Sequence, residues 1–453
     1  MKNKRRNFLK KTSLVSLGVL TANESLYASP NKLSAKSYSR IIGANERISF
    51  AFQGLGRRLP GLLRSSVKLK NVDILYFCDV MQNQMVKANK QFNKLTGLTA
   101  KSEVDIHKIL EDKNVDAIIM ATPDHWHAYG SCKAMESGKH VYLEKPCSHN
   151  MEESDLIVNH QKYFNKVVQM GNQQRSSGHT QNIIKKIHQG VIGEAYNAVA
   201  FYNNSRGKVP NQLVMDAPKG LNWDLFQGPA PRRNYTHDTW DYNWRWYGWD
   251  YGTGEAGNNA THELDIARWA LDVDYPNGVK VYAQKNHFLD DGWEMYDNME
   301  AKFTFSKNKS INWNGRSRNA FGKTTDGGRG TVVYGTEGSV FVNRKEYILY
   351  DLKGNIIENV KSNDNESGVS LGGGGDMTTR HMQNFIDAIK NNVLLNSPIE
   401  DAVISQSMVH YANISYRADT SFSIDEKSGK TKNKKANKFW SRTYESGWKI
   451  KMK

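Results

Sequence analysis

Between Arg47 and Gly171 short apolar runs alternate with stretches of helical pattern, and this alternation narrows the fold more than any other feature. Ile48–Gln53, Val72–Cys78, Val115–Ala121, His140–Leu143 and Val167–Met170 read as strands. Leu59–Ser66, Val80–Asn93, His125–Ser137 and Met151–Phe164 read as helices, the last with Asn150 as N-cap and Glu153 three residues on, a capping-box pattern. Strands rich in β-branched residues, each followed by a helix, predict a parallel, doubly wound α/β sheet.

After Gly171 the pattern changes. A helix is expected at Thr180–Gln189 and a strand at Ala195–Tyr202, then a Trp-rich irregular stretch from Asn203 to Tyr251. A helix at Asn258–Leu271 leads to strand-like runs at Val279–Gln284, Met299–Phe305, Ile311–Asn314, Thr331–Tyr334, Val340–Val342 and Tyr347–Tyr350. Helices at Thr379–Asn391 and Asp401–Ala418 close this part. The expected class is α+β with one large open, mostly antiparallel sheet. The divisions are 1–40 (signal and linker), 41–171 (dinucleotide-binding), 172–426 (substrate and oligomerisation) and 427–453 (basic tail). Segments 361–375 and 427–438 read as polar loops or tail.

The net charge of +16 suggests nucleic acid until it is mapped. Residues 1–40 carry +8 and residues 427–453 carry +9, which leaves −1 for the body. A nucleic-acid footprint on the body is therefore not expected. Lys4-Arg5-Arg6-Asn7-Phe8-Leu9-Lys10 and the short apolar run Leu14–Leu20 resemble a twin-arginine export signal, with a cleavage point near Ala28. No run approaches the ~20 apolar residues of a membrane span, so no stable membrane insertion is expected. Cys78, Cys132 and Cys147 form neither a disulfide framework nor a metal spacing. The basic tail reads as a solvated extension, with acidic glycan or a membrane surface as the other reading.

The first strand runs into Gly54-Leu55-Gly56-Arg57-Arg58-Leu59. In a dinucleotide site the first glycine makes the tight turn and the second admits the pyrophosphate to the helix N-terminus. Leu59 stands where a third glycine is usual, and an ordinary βα turn is the competing reading. Asp79 ends the next strand, where a carboxylate bonds the ribose 2′-hydroxyl and favours NAD over NADP. Thr122-Pro123-Asp124-His125-Trp126-His127 and Glu144-Lys145-Pro146 follow the strands Val115–Ala121 and His140–Leu143, at the same sheet edge. A lysine there can polarise a hydroxyl or carbonyl. His125, His127 and Glu144 hint at a metal, but a third convincing ligand is missing and no metal is expected.

Taken with Gln169-Met170-Gly171-Asn172-Gln173, Leu221-Asn222-Trp223-Asp224 and Gly257-Asn258-Asn259-Ala260-Thr261-His262, these motifs resemble the Gfo/Idh/MocA oxidoreductases, the glucose–fructose oxidoreductase and inositol dehydrogenase type. The likeness covers nearly the whole chain after the signal. It implies a Rossmann domain, a second domain whose open sheet supports homo-oligomers, and a small carbohydrate or polyol as substrate. By the same resemblance Lys145 and His262 are the catalytic pair. Leu55, Arg57, Arg58, Thr122, Pro123, Trp126, His127, Glu144, Gln173, Trp244 and Arg245 join Gly54, Gly56 and Asp79 along the cofactor. Asn258 and Trp246 would stand with Lys145 and His262 at the substrate. In that pattern His262 would accept the proton of a substrate hydroxyl. Asn258 replaces the family's aspartate at an i,i+4 spacing from it, and since an amide can only orient the ring, either His262 is a weaker base or Lys145 carries more of the proton relay. The competing reading for His262 is a helix histidine packed for structure. The Trp-rich run admits two readings as well, stacking on sugar faces or anchoring a long loop.

An exported enzyme of this kind must bring its NAD with it, bound tightly. Three functions remain open. One is net oxidoreduction. A second is a redox-neutral NAD-dependent glycosidase or lyase, whose known kind in this family lacks the lysine of Glu-Lys-Pro. The third is a non-catalytic sugar-binding protein.

Overall fold

The computed structural model describes residues 47–237, 239–322, 328–362 and 376–453. The export-signal segment lies outside them, as does most of the polar segment 361–375. In the first half the strands are β1 (Ile48–Gln53), β2 (Val72–Cys78), β3 (Lys101–Glu103), β4 (Ala117–Met120), β5 (His140–Leu143) and β6 (Val168–Met170). All are parallel, in the order β3-β2-β1-β4-β5-β6. This is the doubly wound Rossmann order, and it reverses direction between β1 and β4, where ligands bind. The reason for two buried faces is visible residue by residue. Phe50, Phe52, Ala117, Ile119 and Tyr142 enter one core, while Ala51, Ile118, Met120, Val141 and Leu143 enter the other.

Strand β3 and the short helix Ile106–Leu110 are absent from the sequence reading. β3 is a three-residue edge strand with largely exposed side chains and so carries no apolar run. The capping box at Asn150 forms with a shift. The Asn150 side chain accepts the Glu153 N–H at 3.1 Å, but the Glu153 carboxylate reaches back to the N–H of His149, at 2.9 Å.

The second sheet comprises β7 (Ala195–Ser205), β8 (Gly278–Gln284), β9 (Asn298–Thr304), β10 (Ser310–Arg316), β11 (Arg318–Asn319), β12 (Arg329–Gly335), β13 (Gly338–Val342), β14 (Glu346–Asp351), β15 (Ile356–Lys361) and β16 (Phe422–Ser423). Its order is β15-β14-β13-β12-β7-β10-β9-β8-β16, with β11 pairing β7. Only β7 and β10 pair in parallel among these described strands, so the sheet is mixed and mostly antiparallel. Alternation sets its two sides: Ile311 and Trp313 are buried under helix Thr261–Leu271, whereas Asn312 and Asn314 face away.

The chain then returns to the first sheet. Helix Asp376–Asn391 inserts Met382, Phe385 and Ile386 among Leu62, Leu63 and Tyr142. The tail corrects the expectation of a solvated extension. Ala436 is fully buried, Ile450 nearly so, and Trp448 packs on Trp126 and Tyr129 with centroids 5.3 and 4.8 Å away. Arg442 pairs with buried Glu153 at 2.8 Å. The tail's lysines dominated its sequence, yet its aromatics decide where it goes. Among the described residues no helix is long and apolar enough to cross a membrane.

Candidate active site

The turn after β1 is shaped by Gly54, whose φ of +84° few side chains tolerate and whose added Cβ would lie 2.6 Å from the backbone of Ala121. Asp79 braces this turn: its carboxylate accepts the N–H of Leu55 at 2.7 Å and of Met81 at 2.8 Å. Burial pushes Asp79 up to about 6, although both amides pull the other way. Leu59, the departure from the glycine pattern, turns into the core with Phe50, Phe52 and Leu62 instead of obstructing the turn.

A cleft opens at this edge. Gly54, Gly56, Arg57, Arg58, Asp79, Thr122, Pro123, Trp126, Trp244 and Arg245 line it, as the sequence reading anticipated. Leu55 contributes its backbone and buries its side chain. The strained glycine, the braced carboxylate and the open space at Gly56 all fit a dinucleotide.

Three predicted residues act beside the cleft as braces. Glu144 accepts from Arg58 Nε and from Gln173 Nε2, each at 2.8 Å, and Gln173 also lies 3.0 Å from the Tyr142 hydroxyl. The His127 ring places one nitrogen 2.5 Å from the Pro146 carbonyl oxygen and the other 3.0 Å from that of Thr122. It thereby ties together the two turns that carry the chemistry. His125 points elsewhere, 2.8 Å from the Phe226 carbonyl oxygen, so these side chains do not converge as a ligand set.

Lys145 Nζ donates to the backbone carbonyl of Asn258. Burial, aided by the Arg245 guanidinium, pulls this amine down to about 7. His262 is held well below the usual imidazole range by burial, then by Arg344 and Lys145. Residues Ala256–Ala260 form one π-helical turn ahead of helix Thr261–Leu271, replacing the continuous helix expected from Asn258. Such turns are frequent at functional sites. It also changes the role foreseen for Asn258. Its amide donates to Glu255 Oε1 at 2.8 Å and makes no hydrogen bond to His262 among the described contacts.

Glu255 is the residue that sequence reasoning missed. It is buried and accepts from Trp246 Nε1 and Asn258 at one oxygen and from Asn259 and Ser317 at the other, which also forms an ion pair with Arg206 at 3.2 Å. Burial opposes its charge, yet Arg206 and these donors hold it below the usual carboxylate range. The only hint was an acid directly after Gly252-Thr253-Gly254, because Arg206 and Ser317 arrive from distant strands. Arg329 and Glu263, 2.6 Å apart, form a second pair beside the site. Arg344, held near 9 by burial and Arg329, adds a further cation.

Trp246 requires a correction. It is 3 % exposed, stacks on Trp293 at 4.4 Å and 14°, and has Arg206 5.1 Å from its ring centre, so it anchors the loop and cannot stack on a substrate. Toward the cleft the same loop lays Arg57, Tyr242, Arg245 and Trp244 in one pile. Arg57 and Arg245 lie 4.0 and 4.3 Å from the Tyr242 ring, and Arg245 lies 4.0 Å from Trp244. Asp241 adds a 3.2 Å ion pair to Arg57. The two readings of the aromatic run thus divide by residue: Trp246 anchors, whereas Trp244 lines the cleft.

The chain belongs to the Gfo/Idh/MocA family. Residues 50–172 match its NAD-binding Rossmann domain and residues 191–450 its C-terminal alpha/beta domain. It is 28% identical over 208 residues to a glycosyl hydrolase family 109 protein of Shewanella baltica, across 44% of this chain and 45% of that one. An alpha-N-acetylgalactosaminidase of Shewanella oneidensis is 27% identical over the same span. The match therefore spans less than half the length of these curated relatives. The WlbA dehydrogenase of Bordetella pertussis, solved with NADH and UDP-GlcNAcA, shares the fold with a TM-score of 0.61 at 17% identity, over 84% of this chain and 98% of that one.

Proposed function

We propose that this protein is an NAD-dependent oxidoreductase that moves hydride between a retained nicotinamide and a hydroxyl or carbonyl carbon of a sugar, glycoside or polyol. The observation that carries the reading is Lys145, a buried amine at about 7 beside the dinucleotide edge and the π turn that leads to His262. The cofactor, when bound, supplies the hydride acceptor. Lys145 receives the substrate hydroxyl as hydrogen-bond partner and takes its proton, for which a pKa near the working pH is suited. His262 keeps a neutral ring, because burial and the surrounding cations disfavour imidazolium. It positions the hydroxyl, and Lys145 stores the proton. Asp79 supports NAD over NADP. The pile of Arg57, Tyr242, Arg245 and Trp244 over the glycine turn supports slow cofactor release. That suits the export suggested by the twin arginines, in a compartment without a soluble NAD pool. The uncovered sheet face, carrying Tyr196 and Tyr282 exposed, supports a homo-oligomer.

The names of the Shewanella relatives favour one second reading, a redox-neutral glycosidase that uses the same residues with oxidation, elimination and hydride return at the sugar. The absorbance of the purified protein separates the two. Net growth of the reduced-nicotinamide band with a free sugar is expected. Cleavage of an aryl glycoside without net reduction would transfer the case to the glycosidase, and protein that carries and binds no nicotinamide would end both.

A further inference from the structure

A second, smaller chamber lies away from the cofactor cleft, between the start of helix Met151–Phe164, helix Ile399–Ala418, the loop at Trp249–Thr253 and the returning tail. The centre of a water-sized particle can move through ≈ 20 Å³ of it, room for about one such particle. His149 lines the chamber, is 7 % exposed, and has no hydrogen-bond partner on either ring nitrogen. A buried donor left unmet costs ~1–3 kcal/mol, so an unoccupied chamber is a poor account of this ring.

The ring sits among two guanidiniums and one carboxylate, that of Glu153, which accepts the His149 backbone N–H at 2.9 Å. Arg442, His125, His410 and Arg417 face it, and burial together with Arg442 holds its imidazole well below the usual range. Arg442 is already offset by Glu153 at 2.8 Å, and His410 is 2.8 Å from the Ser148 hydroxyl. Arg417 has no such offset. Its guanidinium packs on Trp249 and Phe439, 4.8 and 4.5 Å from their ring centres, and forms no ion pair or hydrogen bond among the described contacts. Asp250 is the one carboxylate acting on it, from a distance. An unmet imidazole and a partly exposed guanidinium without an ion pair among the described contacts thus line one small space. A water would meet the ring alone. An anion meets the ring as acceptor and offsets Arg417 as well.

We propose that this chamber binds one small monovalent anion of the halide class, held by His149 and Arg417 and sealed by Phe439, Ser441 and Arg442 of the tail. The anion joins the tail to both halves of the molecule, and Thr253, which lines the chamber, donates its N–H and hydroxyl to Asp124 at 3.1 and 2.7 Å.

Two measurements on the full chain test this. Crystals soaked in bromide should show an anomalous peak in the chamber. In solution, replacing gluconate by bromide at constant ionic strength should raise the melting temperature by roughly 2 °C, since a ligand that binds only the folded state stabilises it. Arg417→Met, which keeps an aliphatic stem between Trp249 and Phe439, should lose that rise. A wild-type crystal without the peak means that water fills the chamber, and the proposal fails. A peak with no bromide-specific rise in melting temperature means an adventitious ion only, and the proposal fails equally.

Discussion

The two ends of the active-site region are built on different scales. The glycine side of the cofactor cleft is built within the Rossmann half, from a strained glycine, the carboxylate 25 positions on, and turns after β4 and β5, with Trp244 and Arg245 added from the later loop. The substrate end is assembled from afar. Glu255 draws Arg206 from beyond β7 and Ser317 from beyond β10, Arg329 on β12 meets Glu263, and Lys145 reaches Asn258. Backbone geometry dominates the first, and compensated buried charge the second. Damage at the cleft should therefore be local and steric, whereas damage at the substrate end should spread through ion pairs.

The largest effect expected is at the backbone end. Gly54→Ala drives a methyl into the Ala121 carbonyl at 2.6 Å, and the purified variant should carry no nicotinamide by absorbance while remaining folded by circular dichroism. Glu255→Ala should break the comparison's other side, leaving Arg206 buried and unpaired at a cost of about 3–5 kcal/mol in denaturant unfolding. Lys145→Met should lower kcat/KM by about 10³-fold, the range of one acid–base group, with cofactor content retained. In the wild type the oxidation rate should climb as pH rises through about 7, because the neutral amine is the proton acceptor; the variant should lack that limb.

Stability supplies a smaller, opposite effect. The ordinary lysine value is about 10.4 and the folded value is about 7, so the unfolded chain binds the extra proton between them. Wild-type stability should rise with pH across that window. Lys145→Met should thus be the more stable protein below pH 7, with the gap closing toward about pH 10. Smallest is Asp79→Asn, which should narrow the preference for NAD over NADP by about tenfold, or ~1.4 kcal/mol.

The same difference in scale governs what could be read from the chain. Gly54, Asp79, Thr122 and Lys145 were legible because strand ends, turns and spacing place them locally, and the parallel, doubly wound class follows from alternation. Glu255 was not, since its meaning lies in four donors, Trp246, Asn258, Asn259 and Ser317, and an ion pair with Arg206. Asn258 was misjudged because an i,i+4 spacing assumes an ordinary α-helix, and the π turn rotates it toward Glu255. Trp246 was misjudged for another reason: composition shows that an aromatic is present but not whether Trp293 already occupies its face. The tail misled through its lysines, which stay outside while Trp448 and Ile450 go in.

The return of Met382, Phe385 and Ile386 to the first sheet also has a bearing on how the molecule is made. A nascent Rossmann half leaving the ribosome has its strands but lacks the side chains that close one of its two cores, and the Trp126 corner lacks Trp448. Such long-range closure slows folding and leaves apolar surface open meanwhile. Cotranslational folding can therefore prepare this domain but not finish it, and a chaperone that shields Leu62, Leu63 and Tyr142 until synthesis ends would act on the first domain on behalf of the last helices.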